Sequence, residues 1–200
     1  IRRKYGEVPP KKAEYIPWHT VCVDFIVPWT VKQRKNGKII KLKFSCLTMI
    51  DPAIHWPEIA VIPGGELDSA LMSKLFNNYW LARYPRPTEV VYDNGSEFKK
   101  SFKALCVEYG LKRKPTTSKN PQANSMIERL NGSINSMVRA HNLDRKDLDL
   151  NDPFSVIVAN CASALRAGYH STLEASPAQA LFGRDMLFDL DYNINLESLR

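Results

Sequence analysis

The hydrophobic period of this chain changes once, at Pro63-Gly64-Gly65, and that change limits what it can fold into. Upstream, apolar residues come in β-branched and aromatic runs cut by turn signals. Downstream, stripes spaced near 3.6 residues alternate with short runs. Thr20 to Val27, held between Pro17 and Pro28, predicts a strand. Asn36-Gly37 marks a hairpin turn, with Lys38 to Ile50 as a second strand and Ile54 to Ile62 as a third. Leu67, Ala70, Leu71, Lys74, Leu75, Asn78 and Tyr79 then share one helical stripe that stops before Pro85. Thr88 to Asp93 predicts a short strand, and Phe98, Phe102, Leu105, Cys106 and Tyr109 a helix face closed by Gly110. Leu111 to Thr116 reads as the last strand. Helices are expected from about Pro121 to Asn142, with Met126, Leu130, Ile134 and Met137 inward, from Pro153 to Ala167, and after the Ser176-Pro177 cap. The order β-β-β-α-β-α-β-α-α predicts an α/β fold. Its five-stranded mixed sheet has three antiparallel strands, then two parallel ones, with helices on both faces.

Charge narrows the function classes. The net charge is +7, and residues 31–43 carry six Lys/Arg and no acid. Residues 99–119 carry seven cations against Glu108 alone, whereas residues 141–200 hold five basic and nine acidic side chains. Such asymmetry suits a polyanion, or equally a solvated basic face with an exposed hairpin. No apolar run approaches the roughly 20 residues that span a bilayer, which argues against a membrane partner. The first residue is Ile rather than Met, which reads as a fragment or processed piece. The cysteines Cys22, Cys46, Cys106 and Cys161 never form a CxxC pair and have no His at ligand spacing, so buried free thiols in a reducing compartment are expected rather than a zinc site.

Three acids do not suit their local settings. Asp24 sits mid-strand among Val, Cys, Phe and Ile, where an ionised carboxylate costs several kcal/mol unless it faces solvent at an edge. Asp93 ends a short apolar strand as Tyr92-Asp93-Asn94-Gly95, a common turn sequence but also the place where α/β sheets collect functional residues. Glu128, beside Arg129, lies about two turns into the helix after Asn120-Pro121-Gln122-Ala123-Asn124, where a plain surface acid is the alternative. Together they form a hard-oxygen set for Mg²⁺. Two such ions can activate an attacking oxygen and stabilise a leaving one at a phosphodiester.

These residues carry a family resemblance. Trp18-His19-Thr20-Val21-Cys22-Val23-Asp24-Phe25-Ile26-Val27-Pro28, Tyr92-Asp93-Asn94-Gly95-Ser96-Glu97-Phe98, and Asn120-Pro121-Gln122-Ala123-Asn124-Ser125-Met126-Ile127-Glu128-Arg129-Leu130-Asn131 occur in order. Ser176-Pro177-Ala178-Gln179-Ala180-Leu181-Phe182-Gly183-Arg184 closes the series. The chain resembles the catalytic core of retroviral and LTR-retrotransposon integrases, nearest in flavour to gypsy-type elements encoded in pol polyproteins. The resemblance runs from about Tyr5 to Arg184.

That resemblance implies a ribonuclease H-like fold and a metal triad of Asp24, Asp93 and Glu128 holding Mg²⁺ or Mn²⁺, as two ions. It implies DNA 3′-end processing and strand transfer, a homodimer or higher oligomer, a nuclear destination, and no small-molecule substrate. DNA contacts are expected from Asn94, Gln122, Asn124, Asn131, Lys112, Arg113, Lys114 and Lys119, while Asp51 reads as structural. Residues 1–12 correspond to the tail of a zinc-binding domain, 13–184 to the core, and 185–200 to the start of a linker. Departures are few. The 34 residues between Asp93 and Glu128 are one short of the family's usual interval, a difference expected near Phe98-Lys99-Lys100-Ser101. Ser125 and Val27 stand where Gly is common. A nuclease of the same fold and an inactive DNA-binding core are the competing readings.

Overall fold

The computed structural model describes residues 16–35, 38–93, 95–116, 121–141 and 153–186. Its strands are β1 (Thr20–Lys35), β2 (Lys38–Ile50), β3 (Pro57–Pro63), β4 (Glu89–Tyr92) and β5 (Lys112–Pro115). Its helices are α1 (Ser69–Phe76), α2 (Ser101–Glu108), α3 (Pro121–Ala140), α4 (Ser155–Ala167) and α5 (Pro177–Phe182). The five strands form one sheet in the order β3-β2-β1-β4-β5. β1, β2 and β3 pair antiparallel, and β4 and β5 run parallel to β1, as the period pattern predicts.

Strand alternation divides the interior into two layers. Cys22, Ile26, Cys46 and Ile50 point to one side, where α3 and α4 cover them through Ile127, Leu130, Ile134, Val158 and Cys161. Val21, Val23, Leu47 and Met49 point to the other, against Met72, Phe76 and Trp80 and against Phe98, Phe102 and Cys106 of the α2 region. All four cysteines are free and buried. Among the described residues no helix is long and apolar enough to cross a membrane.

Several boundaries differ from the sequence reading, each for a physical reason. β1 does not stop at Pro28 but continues to Lys35. The register shifts between Ile26 and Trp29, so that Val27 and Pro28 stand opposite Ser45 alone. A bulge places Pro, which has no N–H to give, where the ladder needs none. Gly65 makes room for it: at φ +80° its missing Cβ would lie 2.9 Å from Pro28 Cβ. The turn residues Asn36 and Gly37 lie outside the described residues, flanked by the Lys35–Lys38 pair.

The buried stripe of α1 is Met72, Phe76 and, in a following π-helical turn Asn77–Leu81, Trp80. It is displaced by one position from the predicted stripe, because the apolar band is wide enough for either edge to face the sheet. Asp68 caps this helix through the Leu71 N–H at 2.7 Å. The predicted second helix is broken: Ser96–Phe98 makes a 3-10 turn, and Lys100 at φ +42° precedes α2. That irregularity falls where the one-residue difference in spacing was expected. At the chain's other end Ser176 and Gln179 form the capping box of α5, with Pro177 first in the helix.

Candidate active site

Strand register brings the first two acids together. Cys22 of β1 pairs with Val91 of β4, both facing the α3–α4 layer. Two residues further along each parallel strand come Asp24 and Asp93, level with each other, Asp93 just past the carboxyl end of β4. Helix α3 crosses the same face and carries Glu128, exposed at its margin while Ile127 and Leu130 turn inward.

Asp24 is half-buried and well held. Its Oδ1 accepts the Phe25 N–H at 2.9 Å, and its Oδ2 accepts Asn131 Nδ2 at 2.8 Å. The Thr48 hydroxyl donates to Asn131 Oδ1 at 2.9 Å, with the Asp24 carbonyl oxygen 3.2 Å away. Thr48 is the β2 register partner of Asp24, so one amide clasps α3 to two strands at once. One turn later Asn135 Oδ1 accepts Trp29 Nε1 at 3.1 Å. Burial raises the Asp24 carboxyl above the usual carboxylate range, and the negative charges of Asp93 and Glu128 raise it further. The Phe25 N–H and the Asn131 amide act the other way. All three acids therefore act within one electrostatic neighbourhood.

The carboxylates nevertheless do not close on a common point. Asp93 is exposed and accepts the Gly95 N–H at 3.0 Å in a tight turn. Among the described residues no three His, Cys, Asp or Glu side chains gather closely enough to enclose one ion. Three like charges favour such spreading. The donors are all hard oxygens, the kind that Mg²⁺ and Mn²⁺ take, and a divalent cation held by them would offset the repulsion that Asp24 feels. The residues present fit that group.

The expected DNA contacts fare differently. Asn94 and Lys119 lie outside the described residues, as do the side chains of Gln122 and Asn124. Asn131 lies at the site and is engaged by Asp24. Lys112 and Lys114 project from edge strand β5 and share Glu89, at 3.6 and 2.5 Å. Arg113, on the opposite face of β5, lines a cavity of about 280 Å³ with Tyr92, Phe98, Lys99 and Lys103. Asp51 is fully buried and structural: it accepts the N–H groups of Trp18, Ala53 and Ile54 at 2.5, 2.6 and 3.1 Å.

Sequence reasoning missed three features. Thr48 carried no signal until register placed it opposite Asp24. Glu58, mid-run in β3 and only 4% exposed, had the same anomaly that singled out Asp24. It is paired with Arg166 at 2.9 Å and Arg83 at 3.7 Å, and the Tyr84 hydroxyl donates to it. His55 and His170 stack at 3.9 Å near Arg129, in the wall of a cavity of about 100 Å³. Burial lowers both imidazoles, His55 to about 4.

No protein-family model matches the chain. No curated protein matches it either. Solved structures do, at the level of fold. The dimeric form of the HTLV-2 integrase catalytic core domain in complex with magnesium superposes with a TM-score of 0.58 at 19% identity, covering 82% of this chain and 95% of that one. The BIV integrase catalytic core domain gives 0.58 at 15%, covering 83% and 95%. A chain of the simian T-cell lymphotropic virus intasome, in complex with PP2A regulatory subunit B56 gamma, gives 0.58 at 14% over 90% of this chain. This chain spans 60% of that protein's length. The fold is that of retroviral integrase catalytic cores, the ribonuclease H-like arrangement the motifs implied.

Proposed function

We propose that this chain is a divalent-metal-dependent DNA strand-transferase core of the retroelement integrase kind, from a gypsy-type pol polyprotein. The observation that carries the reading is that Asn131, one turn from Glu128 on α3, bonds Asp24 on β1, level with Asp93 just past the end of β4, in a basic protein. The integrase-core fold supports it. Two Mg²⁺ or Mn²⁺ ions bound there would activate the attacking oxygen and stabilise the leaving one.

The chain's own residues supply the rest. Asp24, Asp93 and Glu128 are the ligands, and Asn131 with Thr48 holds Asp24 and the helix bearing Glu128 in fixed relation. In end processing, water attacks a phosphodiester and a 3′-hydroxyl leaves. In strand transfer that 3′-hydroxyl attacks a second phosphodiester, forming one P–O bond as another breaks, with no covalent enzyme intermediate. Joining two DNA ends requires at least two copies of the chain, acting in a nucleus. Within it we assign 13–184 to the core, 1–12 to the tail of a zinc-binding domain and 185–200 to a linker.

The test is strand joining on a branched DNA that mimics the integration product, in Mg²⁺ and in Mn²⁺. Wild type should reseal it, and Asp24→Asn, Asp93→Asn and Glu128→Gln should each lose the reaction while keeping their circular dichroism. Resealing by any of the three would overturn the assignment of that acid. Cutting without joining would favour a nuclease of the same fold, and a folded chain inactive even when extended at both ends would favour a DNA-binding core without catalysis.

A further inference from the structure

The hairpin formed by the outer halves of β1 and β2 has no part in the site described above. β3 pairs with β2 only from Phe44 to Ile50, and β4 pairs with β1 only from Thr20 to Cys22. From Thr30–Lys43 out to Lys35–Lys38 the two strands pair with each other alone. At about 3.4 Å per residue this makes a two-stranded ribbon roughly 17 Å long.

The bulge at Pro28 decides what the ribbon presents. By shifting alternation one position in β1, it turns Trp29 and Val31 to the side that Leu42 and Phe44 of β2 already face, toward the α3–α4 layer, where Phe44 stacks on Phe154 at 3.7 Å. The opposite face is Thr30, Lys32, Arg34, Ile39, Lys41 and Lys43, every one exposed. Lys32 stands directly across from Lys41 and Thr30 from Lys43. Like charges directly opposed on one face destabilise a ribbon.

We infer that this basic ribbon face is a DNA-binding arm that lies along the major groove of a duplex, separate from the acidic site. A two-stranded ribbon is one of the elements the major groove admits. Duplex DNA carries a charge every 1.7 Å or so of its axis, a density that four cations over roughly 14 Å complement. β1 leads from Asp24 into the ribbon, and β4 delivers Asp93 at the same end of the sheet, so DNA held at the acids passes the ribbon's base. Lys32, eight residues past Asp24, lies at most about 27 Å along the strand from it. The choice of DNA as the polymer rests on the strand-transfer reading.

The test compares wild type with a fourfold Lys32→Gln, Arg34→Gln, Lys41→Gln, Lys43→Gln variant in duplex binding across a salt series, with Lys74→Gln, an exposed cation on α1, as a control. Loss of four phosphate contacts should make the slope of log K against log salt shallower by about 3 to 4 and lower affinity at 0.1 M salt by about 100-fold or more. Lys74→Gln should keep the wild-type slope. An RNA duplex should compete more weakly than DNA, because its major groove is too deep and narrow to take the ribbon. The melting temperature should hold or rise, since the Lys32–Lys41 opposition is gone. If it falls instead, the Arg34→Gln, Lys43→Gln pair, which leaves that central opposition in place, carries the test with half the slope change. An unchanged slope, equal competition by RNA, or no duplex binding by wild type each overturns the arm. Ribbon-dependent binding by a chain that fails to join DNA would leave the arm standing and remove the strand-transfer reading.

Discussion

The amide of Asn131 carries two elements of the site at once, and its removal tests the geometry directly. It donates to Asp24 Oδ2 at 2.8 Å and accepts from Thr48 at 2.9 Å. A hydrogen bond to a charged group contributes about 1.5 to 3 kcal/mol, and water reaching the half-buried Asp24 puts this one near the lower end. Asn131→Ala should therefore cost about 1.5 kcal/mol, or about 3 to 6 °C in melting temperature for a chain of this size. Asn131→Asp keeps the shape but sets a second carboxylate against Asp24. At neutral pH it should cost about twice as much, because repulsion replaces the lost attraction. Both are measured by thermal unfolding in EDTA and again in millimolar Mg²⁺. On the proposed metal site, Asn131→Asp should regain more stability than wild type from the cation, which would bind the folded acids and not the unfolded chain. Its deficit should also shrink at acid pH, where a protonated carboxyl can donate as the amide did. Equal melting temperatures for Asn131→Asp and wild type in EDTA would refute the clasp. Strand joining by Asn131→Ala should fall about tenfold, the rate equivalent of about 1.4 kcal/mol.

Three further outcomes follow from the packing. Arg166→Leu strips Glu58 of its partner at 2.9 Å and leaves Arg83 at 3.7 Å, so it should destabilise by about 3 kcal/mol. Arg166→Leu with Glu58→Gln should cost much less, and equal costs in urea unfolding would count against the buried pair. Folded His55 titrates near 4 and unfolded His55 near 6.5, so its contribution is intact above pH 6.5 and is lost as pH falls toward 4. The full shift corresponds to about 3 kcal/mol, roughly half that after solvent screening of a half-buried ring. His55→Asn should flatten this part of the stability–pH curve, and a parallel curve would refute the assignment. Gly64→Ala and Gly65→Ala share a positive φ, but only at Gly65 does the new Cβ meet Pro28. Gly64→Ala should cost about 1 kcal/mol and Gly65→Ala about 2, and matching melting temperatures would show that the bulge does not depend on that contact.

Local chemistry wrote much of this protein. Alternation and the 3.6-residue stripes are properties of consecutive residues, so strand and helix identity, the switch at Pro63 and the Ser176 cap are legible without the fold. Asp24 was legible as a misfit, since a carboxylate among β-branched residues needs a reason whatever surrounds it. What only tertiary structure decided is pairing between distant residues. Nothing near Asn131 says that it reaches Asp24, 107 positions away, because β1 and α3 meet only when the sheet forms. Lys112 and Lys114 read as free cations until parallel pairing set Glu89 beside them. Glu58 read as part of an apolar run because Arg83 and Arg166 arrive from other elements. Pro28 read as a strand end, since a proline cannot serve a ladder. Only opposite Ser45, where one residue faces two, does it become the bulge that turns the basic side of the hairpin outward. A sequence states which groups are costly to bury, whereas folding selects the partners that offset the cost.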